Sequence, residues 1–402
     1  MTKKTTQHAS INPLLILLAP FILASQIAHA KHWAPQRTGN VASNQITEAS
    51  GIIVSKTQKN ILWTFNDSGD SPRIFALKPD GSDLGQFKLK NAKNKDFEDI
   101  ALGPGPQKNT PYLYIADIGD NDAKRTTITL YRFPEPTINP QKHKKNTTLK
   151  NIQTITLKYP DHPHDAETLI IDPLNGDIFI GTKRGPTFNL YRVTQKQITQ
   201  NPNAIITLTK AATIVEPQLH FAGFQHFVTA GDISTDGKYI AIRSRNTALF
   251  YKRNKKQSVP QALKTKPIVV QLFDLISARQ GEAIAFDPQG YGFYTLDEGR
   301  ARPIYHYPWP KQGDFNSDQV INQQDMQILQ NNLGFKDNYP SAKSLSKGDY
   351  NLDGQVNRHD ASAFQAQFQI HPNPSPYKIV PIALTLIACT AGIFWIQKKR
   401  NQ

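Results

Sequence analysis

The stretch GDYNLDGQVNRHD (residues 348–360) repeats the oxygen-rich spacing of an earlier stretch, GDFNSDQVINQQD (residues 313–325). Counted from the first Asp, both copies carry Asp or Asn at positions 1, 3, 5, 9 and 12. Calcium takes about six to eight oxygen ligands, and a backbone carbonyl at position 7 would complete each set. The predicted calcium ligands are Asp314, Asn316, Asp318, Val320, Asn322 and Asp325 in the first copy, and Asp349, Asn351, Asp353, Gln355, Asn357 and Asp360 in the second.

The loops differ from an ordinary EF-hand loop, because position 12 is Asp rather than Glu and Gln319 stands where Gly is usual. The second copy keeps Gly354. Clusters of Asp, Asn and Gly also occur in simple turns, so a single copy would leave both interpretations open. Apolar residues at helical spacing follow each loop, which favours calcium binding; they are Met326, Leu329 and Leu333, then Ala361, Phe364 and Phe368.

This duplicated loop and helix arrangement resembles a type I dockerin over about residues 312–370. The resemblance implies a small all-α module that binds two calcium ions and docks to a cohesin-like partner. A segment this short buries little apolar surface alone, so bound calcium would contribute directly to its folding free energy. We refer to residues 311–370 as the C-terminal module.

Residues 31–310 are predicted to form an all-β domain of short strands bounded by Gly, Asp, Asn and Pro. Second strands are predicted at residues 61–65, 112–116, 177–181, 239–243 and 292–296, and third strands at residues 73–77, 128–132, 189–192, 248–251 and 303–307. Each first strand begins with an acidic residue. The strand pattern repeats after 50, 69, 65 and 50 residues if these acidic residues hold equivalent positions in successive blades; they are Glu48, Glu98, Glu167, Asp232 and Glu282.

Four-stranded blades at this spacing predict a five-bladed β-propeller. A six-bladed propeller is the alternative if the two longer repeats contain an additional blade. The last blade stops after three strands near Trp309. Residues near Val41 would therefore supply its fourth strand and close the ring.

In an antiparallel blade, the start of the first strand and the end of the second lie at one face, so polar residues there converge on the axial mouth. The predicted mouth residues are Glu48, Asp67, Glu98, Asp99, Asp117, Asp120, Glu167, Lys183, Asp232, Arg243, Arg245, Glu282 and Glu298. Closely spaced carboxylates raise one another's pKa unless a counter-ion is present, which favours further calcium or another ligand. The alternative is that these carboxylates bind backbone amides or pair with the two arginines.

The phrases EASGI, WTFNDSG, FEDIALGPG, IADIGDN, DAETLIIDP and GEAIAFD, spread over about residues 45–305, resemble phytase-like and esterase-like bacterial propellers. That resemblance implies a propeller fold and leaves two functions open. One is a surface protein that binds an anionic or carbohydrate ligand, in connection with polysaccharide catabolism. The other is a calcium-dependent phosphoester or ester hydrolase, with Lys183, Arg243 and Arg245 holding the phosphate.

The two ends of the chain predict export and anchoring. Residues 1–30 carry two lysines, an apolar run and a small-x-small site, as in a cleaved signal peptide. A Pro-rich spacer (residues 371–378) precedes an apolar segment (residues 379–397) and a basic tail (residues 398–402). We expect a single transmembrane helix with a cytoplasmic tail, or alternatively a sorting signal that is removed during surface attachment.

The formal net charge of +15 is spread over lysine-rich, loop-like runs, and no nucleic-acid-binding motif accompanies them. We therefore expect no nucleic-acid partner, and expect attraction to anionic polymers of the bacterial envelope instead. Cys389 is the single cysteine and lies in the apolar segment, so the exported part must be held together by packing and metal rather than by disulfides.

Overall fold

The computed structural model describes residues 33–139, 146–185, 187–215, 217, 227–272, 281–290 and 292–372. The predicted signal peptide, the apolar segment 379–397 and the basic tail lie outside these residues, as do Cys389 and most of the Pro-rich spacer. Among the helices of the described ranges, none combines the length and apolar character needed to cross a bilayer.

The domain before the C-terminal module is a five-bladed propeller. After β1 (Gln36–Asn40), blade 1 contains β2 (Ala49–Val54), β3 (Leu62–Asn66), β4 (Arg73–Leu77) and β5 (Asp83–Leu89). Blade 2 contains β6 (Phe97–Pro104), β7 (Pro111–Asp117), β8 (Ile128–Pro134) and, after β9 (Asn146–Leu149), β10 (Gln153–Lys158). The predicted strand rhythm is therefore confirmed in the first half of the ring.

The second half repeats the same antiparallel order. Blade 3 contains β11 (Ala166–Ile171), β12 (Ile178–Thr182), β13 (Thr187–Val193) and, after β14 (Ile205–Thr207), β15 (Thr209–Val215). Blade 4 contains β16 (Val228–Ile233), β17 (Tyr239–Ser244), β18 (Thr247–Lys252) and β19 (Ile268–Gln271). Blade 5 contains β20 (Gly281–Phe286), β21 (Gly292–Asp297) and β22 (Pro303–Pro308), with β1 as its fourth strand.

The ring closes where the N-terminal strand joins the last blade. Strand β1 pairs antiparallel with β22, so residues just before Val41 supply the missing strand, as the sequence predicts. The Val41 amide also donates to the carbonyl of Arg302 at 3.0 Å. Closure of this kind covers an edge that would otherwise pair with another chain.

The extra length of the second and third repeats, which run from Glu98 to Glu167 and from Glu167 to Asp232, does not form a sixth blade. Instead, β9 adds to blade 1 as a parallel outer strand next to β5, and β14 adds to blade 2 next to β10. A short helix, α1 (Gln195–Gln200), uses part of the remaining length, and α2 (Val259–Ala262) lies in blade 4.

The inner strands of the blades are buried, since they pack against one another around the axis; only the last two residues of β6 reach the surface. Small residues make this close approach feasible. A Cβ on Gly51 would lie 2.8 Å from the Phe65 ring and 3.0 Å from Ile100 in the next blade. Aromatic pairs fill the space between blades 1 and 2, where the Phe65 and Phe97 ring centroids are 5.7 Å apart.

The C-terminal module contains α3 (Gln323–Asn331), α4 (Ala342–Leu345) and α5 (Arg358–Phe368). Met326, Leu329 and Phe364 are buried, as their helical spacing predicts. The expectation for Leu333 is wrong, because α3 ends two residues earlier and the Leu333 side chain is 50% exposed. The chain turns at Gly334, whose φ of 95° ends the helical path.

The C-terminal module packs directly against the propeller. One apolar cluster contains Phe286 and Tyr307 of blade 5 together with Phe315, Met326 and Phe364 of the module. The backbone joins the two parts as well, since the Val269 amide in β19 donates to the Pro340 carbonyl at 2.8 Å. The predicted calcium loops are therefore joined to the propeller by a shared core rather than by a flexible linker.

Candidate functional sites

The mouth of the propeller is a small acidic cavity of about 110 Å³. We define the mouth as the axial end where the inner strands begin and the second strands end. Its lining residues are Glu48, Ser50, Asp67, Glu98, Asn121, Glu167, Lys183, Glu282 and Glu298. Seven of the predicted mouth residues thus come together here, although they start from separate blades.

Three of the acidic residues hold equivalent positions because each sits on a β-bulge. The pairing between first and second strands shifts register at Glu98, Glu167 and Glu282. A bulge turns the side chain of the extra residue and is frequent beside functional sites. The same position is occupied by Thr229 in blade 4, and the bulge of blade 1 spans Ser50.

The predicted equivalence is therefore wrong for two of the five acidic residues. Glu48 precedes the bulge of its blade, yet it still reaches the cavity. Asp232 follows the Thr229 bulge by three residues, which carries it away from the mouth. A bulge position cannot be found from the spacing of acidic residues, because the shift exists only in the pairing of two strands.

Asp99 and Asp232 bind backbone amides between blades, which is one of the two alternatives to ligand binding that we considered for these carboxylates. The Asp99 carboxylate accepts from the amides of Ile100 and Leu169, each at 2.8 Å. Asp232 accepts from Ile233 and Phe286, each also at 2.8 Å. Each carboxylate thus ties its own inner strand to that of the next blade, and neither lines the cavity.

Asp117 and Asp120 hold a loop at the rim of the mouth. Arg125 forms an ion pair with Asp117, with 3.0 Å between Nη1 and Oδ1. The Asp120 carboxylate accepts from the backbone amide of Arg125 at 2.6 Å. These contacts satisfy the two carboxylates within their own loop, outside the cavity lining.

The two arginines predicted to hold a phosphate lie elsewhere. Arg243 is 2% exposed, pairs with Asp297 and donates to the carbonyl of Ala283 at 2.6 Å. The guanidinium of Arg245 lies over the Phe227 ring, 5.3 Å from its centroid. Lys183 does line the cavity, where its ammonium pairs with Glu167.

Asp96 is a site residue that the sequence reasoning missed. One carboxylate oxygen from each of Asp67, Asp96 and Glu98 lies within 4.8 Å of the other two. Asp96 lies just before β6 and two residues before Glu98, so the KDFED phrase (residues 95–99) contained the signal. The prediction followed the adjacent pair Glu98 and Asp99, which point in different directions.

Burial and repulsion by neighbouring carboxylates favour the neutral form of three acidic residues at the mouth, Glu98, Asp96 and Glu282. Burial raises the pKa of Glu98 well above its usual value, and the charges of Asp67 and Asp96 raise it further. Burial, then the charges of Asp67 and Asp165, raises the pKa of Asp96 to about 6. Burial also raises the pKa of Glu282 to about 7, although Lys183 opposes this shift. A bound cation would reverse the preference, since it stabilises the charged form.

The two predicted calcium loops have the same internal hydrogen bonds. The carboxylate at position 1 accepts from the amides of positions 5 and 6, at 3.1 and 2.9 Å for Asp314 and at 3.0 and 2.9 Å for Asp349. The carboxylate at position 12 accepts from positions 2 and 9, at 2.8 and 2.9 Å for Asp325 and at 3.0 and 2.8 Å for Asp360. Each loop therefore folds around its first and last acidic residues.

The following helix begins inside each loop. Asn322 and Asn357, at position 9, are the N-caps of α3 and α5, and the Asp at position 12 completes the capping box. Side-chain oxygens that satisfy the first helical amides stabilise a helix start. The same residues thus start a helix and place their oxygens at the loop, which explains why the helices follow the loops directly.

The backbone of both loops enters the left-handed region at positions 4 and 6. The φ angles are 59° at Ser317 and 72° at Gln319, and 59° at Leu352 and 86° at Gly354. Gln319 adopts the same conformation as Gly354, at a cost of about 1–2 kcal/mol for a residue with a Cβ. The departure from the usual Gly therefore strains the first loop without changing its path.

The residues of the loops fit a calcium ion. The donors are oxygens throughout, and Asp325, Asp349 and Asp360 are fully buried carboxylates whose pKa is raised by burial. The Oδ1 atom of Asn351, at position 3, is buried and has no hydrogen-bond partner among the described residues. Such an oxygen needs a cation or another partner to offset its lost hydration.

Residues 312–368 match the family model of the dockerin type I domain. The match covers both loops and the helices that follow them, so the resemblance of the C-terminal module to type I dockerins is confirmed, and calcium binding fits it. A search of the curated proteins finds no match for the chain. The likeness of the propeller to phytase-like and esterase-like proteins stays a prediction.

Proposed function

We propose that the chain is a docking protein that presents a β-propeller through a calcium-dependent module to a cohesin-type partner. The observation that carries this proposal is the dockerin match over residues 312–368, which coincides with two loops that share the same internal hydrogen bonds. Dockerin domains occur in extracellular and cell-surface proteins, which agrees with the predicted export and surface attachment. Calcium is plentiful in that setting and would keep the loops filled.

The shared core gives the docking an orientation. Phe315 and Phe364 of the module belong to the same apolar cluster as Phe286 and Tyr307 of blade 5. A partner bound to the module would therefore hold the propeller mouth at a set angle, whereas a flexible linker would let it rotate. This supports a role in which the mouth is presented toward a particular surface or polymer.

The expected result of a binding experiment is calcium-dependent capture. The full chain should bind an immobilised type I cohesin domain in millimolar calcium and dissociate when EGTA is added. Surface plasmon resonance against a panel of type I cohesins measures this directly, with an unrelated β-sandwich domain as the control surface. Failure to bind any cohesin in calcium, while the chain is folded, would contradict the docking proposal.

We further propose that the mouth binds a divalent cation, with calcium as the candidate because carboxylate oxygens predominate in its lining. Six of the nine lining residues are acidic and one is a lysine that pairs with Glu167. The second carboxylate oxygen of Glu167 is buried and has no hydrogen-bond partner among the described residues. A buried unpaired carboxylate oxygen is costly unless a cation binds it.

The cation would decide the ligand class. Without it, a phosphate or carboxylate would be repelled by the acidic lining, because Arg243 and Arg245 are engaged elsewhere. With it, sugar hydroxyls or a single anionic group can complete the coordination shell. The hydrolase alternative needs the same ion for a further task, which is to activate water. It therefore has less support than ligand binding.

Replacing Glu98 and Glu167 by Gln should remove the calcium bound at the mouth and leave that of the module. The substitution keeps the size of each side chain but removes two negative charges. Calcium stoichiometry of the full chain, measured by isothermal titration calorimetry, reports the loss. Asp122→Asn is the matched control, since this exposed carboxylate lies on the rim and pairs with Lys124.

Two outcomes would contradict the mouth proposal. The Glu98→Gln and Glu167→Gln variant could bind as much calcium as the unmodified chain. Alternatively, a chain whose module sites have been removed could bind no calcium at all. If the Glu98→Gln and Glu167→Gln variant hydrolysed an ester or phosphoester as fast as the unmodified chain, hydrolysis at the mouth would be excluded.

A further inference from the structure

A second cluster of metal-binding side chains lies on the mouth face, outside the ring of carboxylates. It is formed by the segment Asp161-His162-Pro163-His164, which follows β10 of blade 2 and leads into the inner strand of blade 3. The fourth strand of one blade ends at the same face where the next inner strand begins. The cluster therefore shares the mouth face but belongs to the junction of blades 2 and 3.

The donor atoms of this cluster lie within reach of one ion. One atom from each of Asp161, His162 and His164 lies within 4.8 Å of the other two. The two imidazole centroids are 4.2 Å apart, and the Nε2 atom of His164 is 3.1 Å from Oδ1 of Asp161. An imidazole pair with a carboxylate is a common ligand set for first-row transition metals.

A buried tyrosine supplies a further oxygen at the same point. The Tyr191 hydroxyl lies 2.7 Å from Nε2 of His164 and donates to Oδ2 of Asp161 at 2.7 Å. Tyr191 belongs to β13 and its side chain is buried, so the hydroxyl is fixed by the sheet. Four candidate ligand atoms thus converge from two chain segments rather than from one surface turn.

The surroundings hold the donors in place. The Tyr159 ring packs edge-on against His164, with 4.9 Å between the centroids, and against Tyr191 at 4.8 Å. Pro163 restricts the backbone between the two histidines. Asp161 and His162 are exposed, which gives an ion a path from solvent. Lys210, an exposed residue, is a positive charge that acts on His164 and opposes a bound cation.

We propose that Asp161, His162 and His164 bind a transition-metal ion, with Zn²⁺ as the expected metal and the Tyr191 oxygen as the neighbouring fourth ligand. Imidazole nitrogen selects zinc, copper or nickel over calcium, which prefers oxygen. The site is therefore chemically distinct from the oxygen-only loops and from the carboxylate ring. It gives the mouth face a second metal chemistry, beside the position where a ligand of the propeller would bind.

The test uses the full chain in saturating calcium, titrated with zinc chloride in a calorimeter, and with cobalt chloride for absorption spectroscopy. We expect one zinc equivalent that calcium does not displace, and cobalt bands typical of a four-coordinate ion. The His162→Asn and His164→Asn double variant should bind zinc at least about tenfold more weakly. His371→Asn, which removes an exposed histidine of the C-terminal region, is the matched control.

Each outcome decides the proposal. Zinc binding that is lost in the double variant and kept in the His371 control supports it. Equal zinc binding by the unmodified chain and the double variant would place the ion elsewhere and overturn the assignment, as would the absence of zinc binding in the unmodified chain. A Tyr191→Phe variant that binds zinc but loses the four-coordinate cobalt spectrum would identify the tyrosine oxygen as a ligand.

Discussion

The paired substitution Asp314→Ala and Asp349→Ala is expected to abolish the calcium-dependent stabilisation of the C-terminal module. Each carboxylate is buried and accepts two loop amides, and each stands at position 1 of its predicted calcium site. An ion that binds only the folded module stabilises it by about 2.7 kcal/mol per site when its concentration is a hundredfold above Kd. Loss of both sites therefore removes several kcal/mol.

The readout should be specific for the module. Helices α3, α4 and α5 belong to the module, whereas the propeller is almost entirely β, so the calcium-dependent rise in the helical circular dichroism signal reports the module. We expect no such rise in the variant, and the melting temperature of the module, followed by its helical signal, should be the same in calcium and in EGTA. The Asp337→Ala variant removes a carboxylate of the same module outside both loops, and it should keep the full response.

Calcium at the mouth must be separated from this effect. The measurement is therefore repeated with Glu98→Gln and Glu167→Gln added, where no calcium-dependent stabilisation should remain. A rise in helical signal that survives the loss of Asp314 and Asp349 would contradict the assignment of the loops. A rise in melting temperature without any helical change would instead locate the remaining calcium in the propeller.

Replacing Arg243 by Met is expected to lower the free energy of unfolding by about 3–5 kcal/mol, the range for breaking a buried ion pair. Arg243 joins blades 4 and 5, because its guanidinium pairs with Asp297 and donates to the Ala283 carbonyl at 2.6 Å and to the Leu296 carbonyl at 3.2 Å. Met fills much of the same space but leaves a buried carboxylate and two carbonyls without their donor.

Urea unfolding of the full chain measures this change, with Arg245→Met as the matched control. The Arg245→Met substitution removes the same charge two residues later, where the guanidinium lies over Phe227. It should therefore lower the free energy of unfolding by less than about 1 kcal/mol. The double variant Arg243→Met and Asp297→Leu should recover much of the loss, because it no longer buries an unpaired charge. Unchanged stability of Arg243→Met would return this residue to the candidates for ligand binding.

The local elements of this protein could be predicted because they depend on neighbours in the sequence. Strands such as β3, β7 and β21 follow from short apolar runs between turn residues, and closure by residues before Val41 follows from counting three strands in the last blade. Leu333 is the exception within the module. Its helical spacing continues the apolar face of α3, but the turn at Gly334 ends the helix first.

The mouth could be predicted only in part. Glu98, Glu167 and Glu282 are correctly brought to the cavity, because each opens an inner strand. Asp99 and Asp232 have the same charge and nearly the same position, yet they point to backbone amides of the next blade. Which of two adjacent residues faces the axis depends on a bulge in the pairing of two strands, and the spacing within one strand does not contain that information.

The two predicted calcium loops were determined by the sequence itself. Their predicted ligands lie within twelve residues, so the spacing of Asp and Asn already sets which oxygens can meet, and the same residues cap the helix that follows. Only the tertiary structure decided that Asp96 lies beside Asp67 and Glu98, that Arg243 is buried between blades, and that the Tyr191 hydroxyl contacts His164. These groups are far apart in the chain and meet only when the blades pack, because contact between blades depends on the closed ring and not on local spacing.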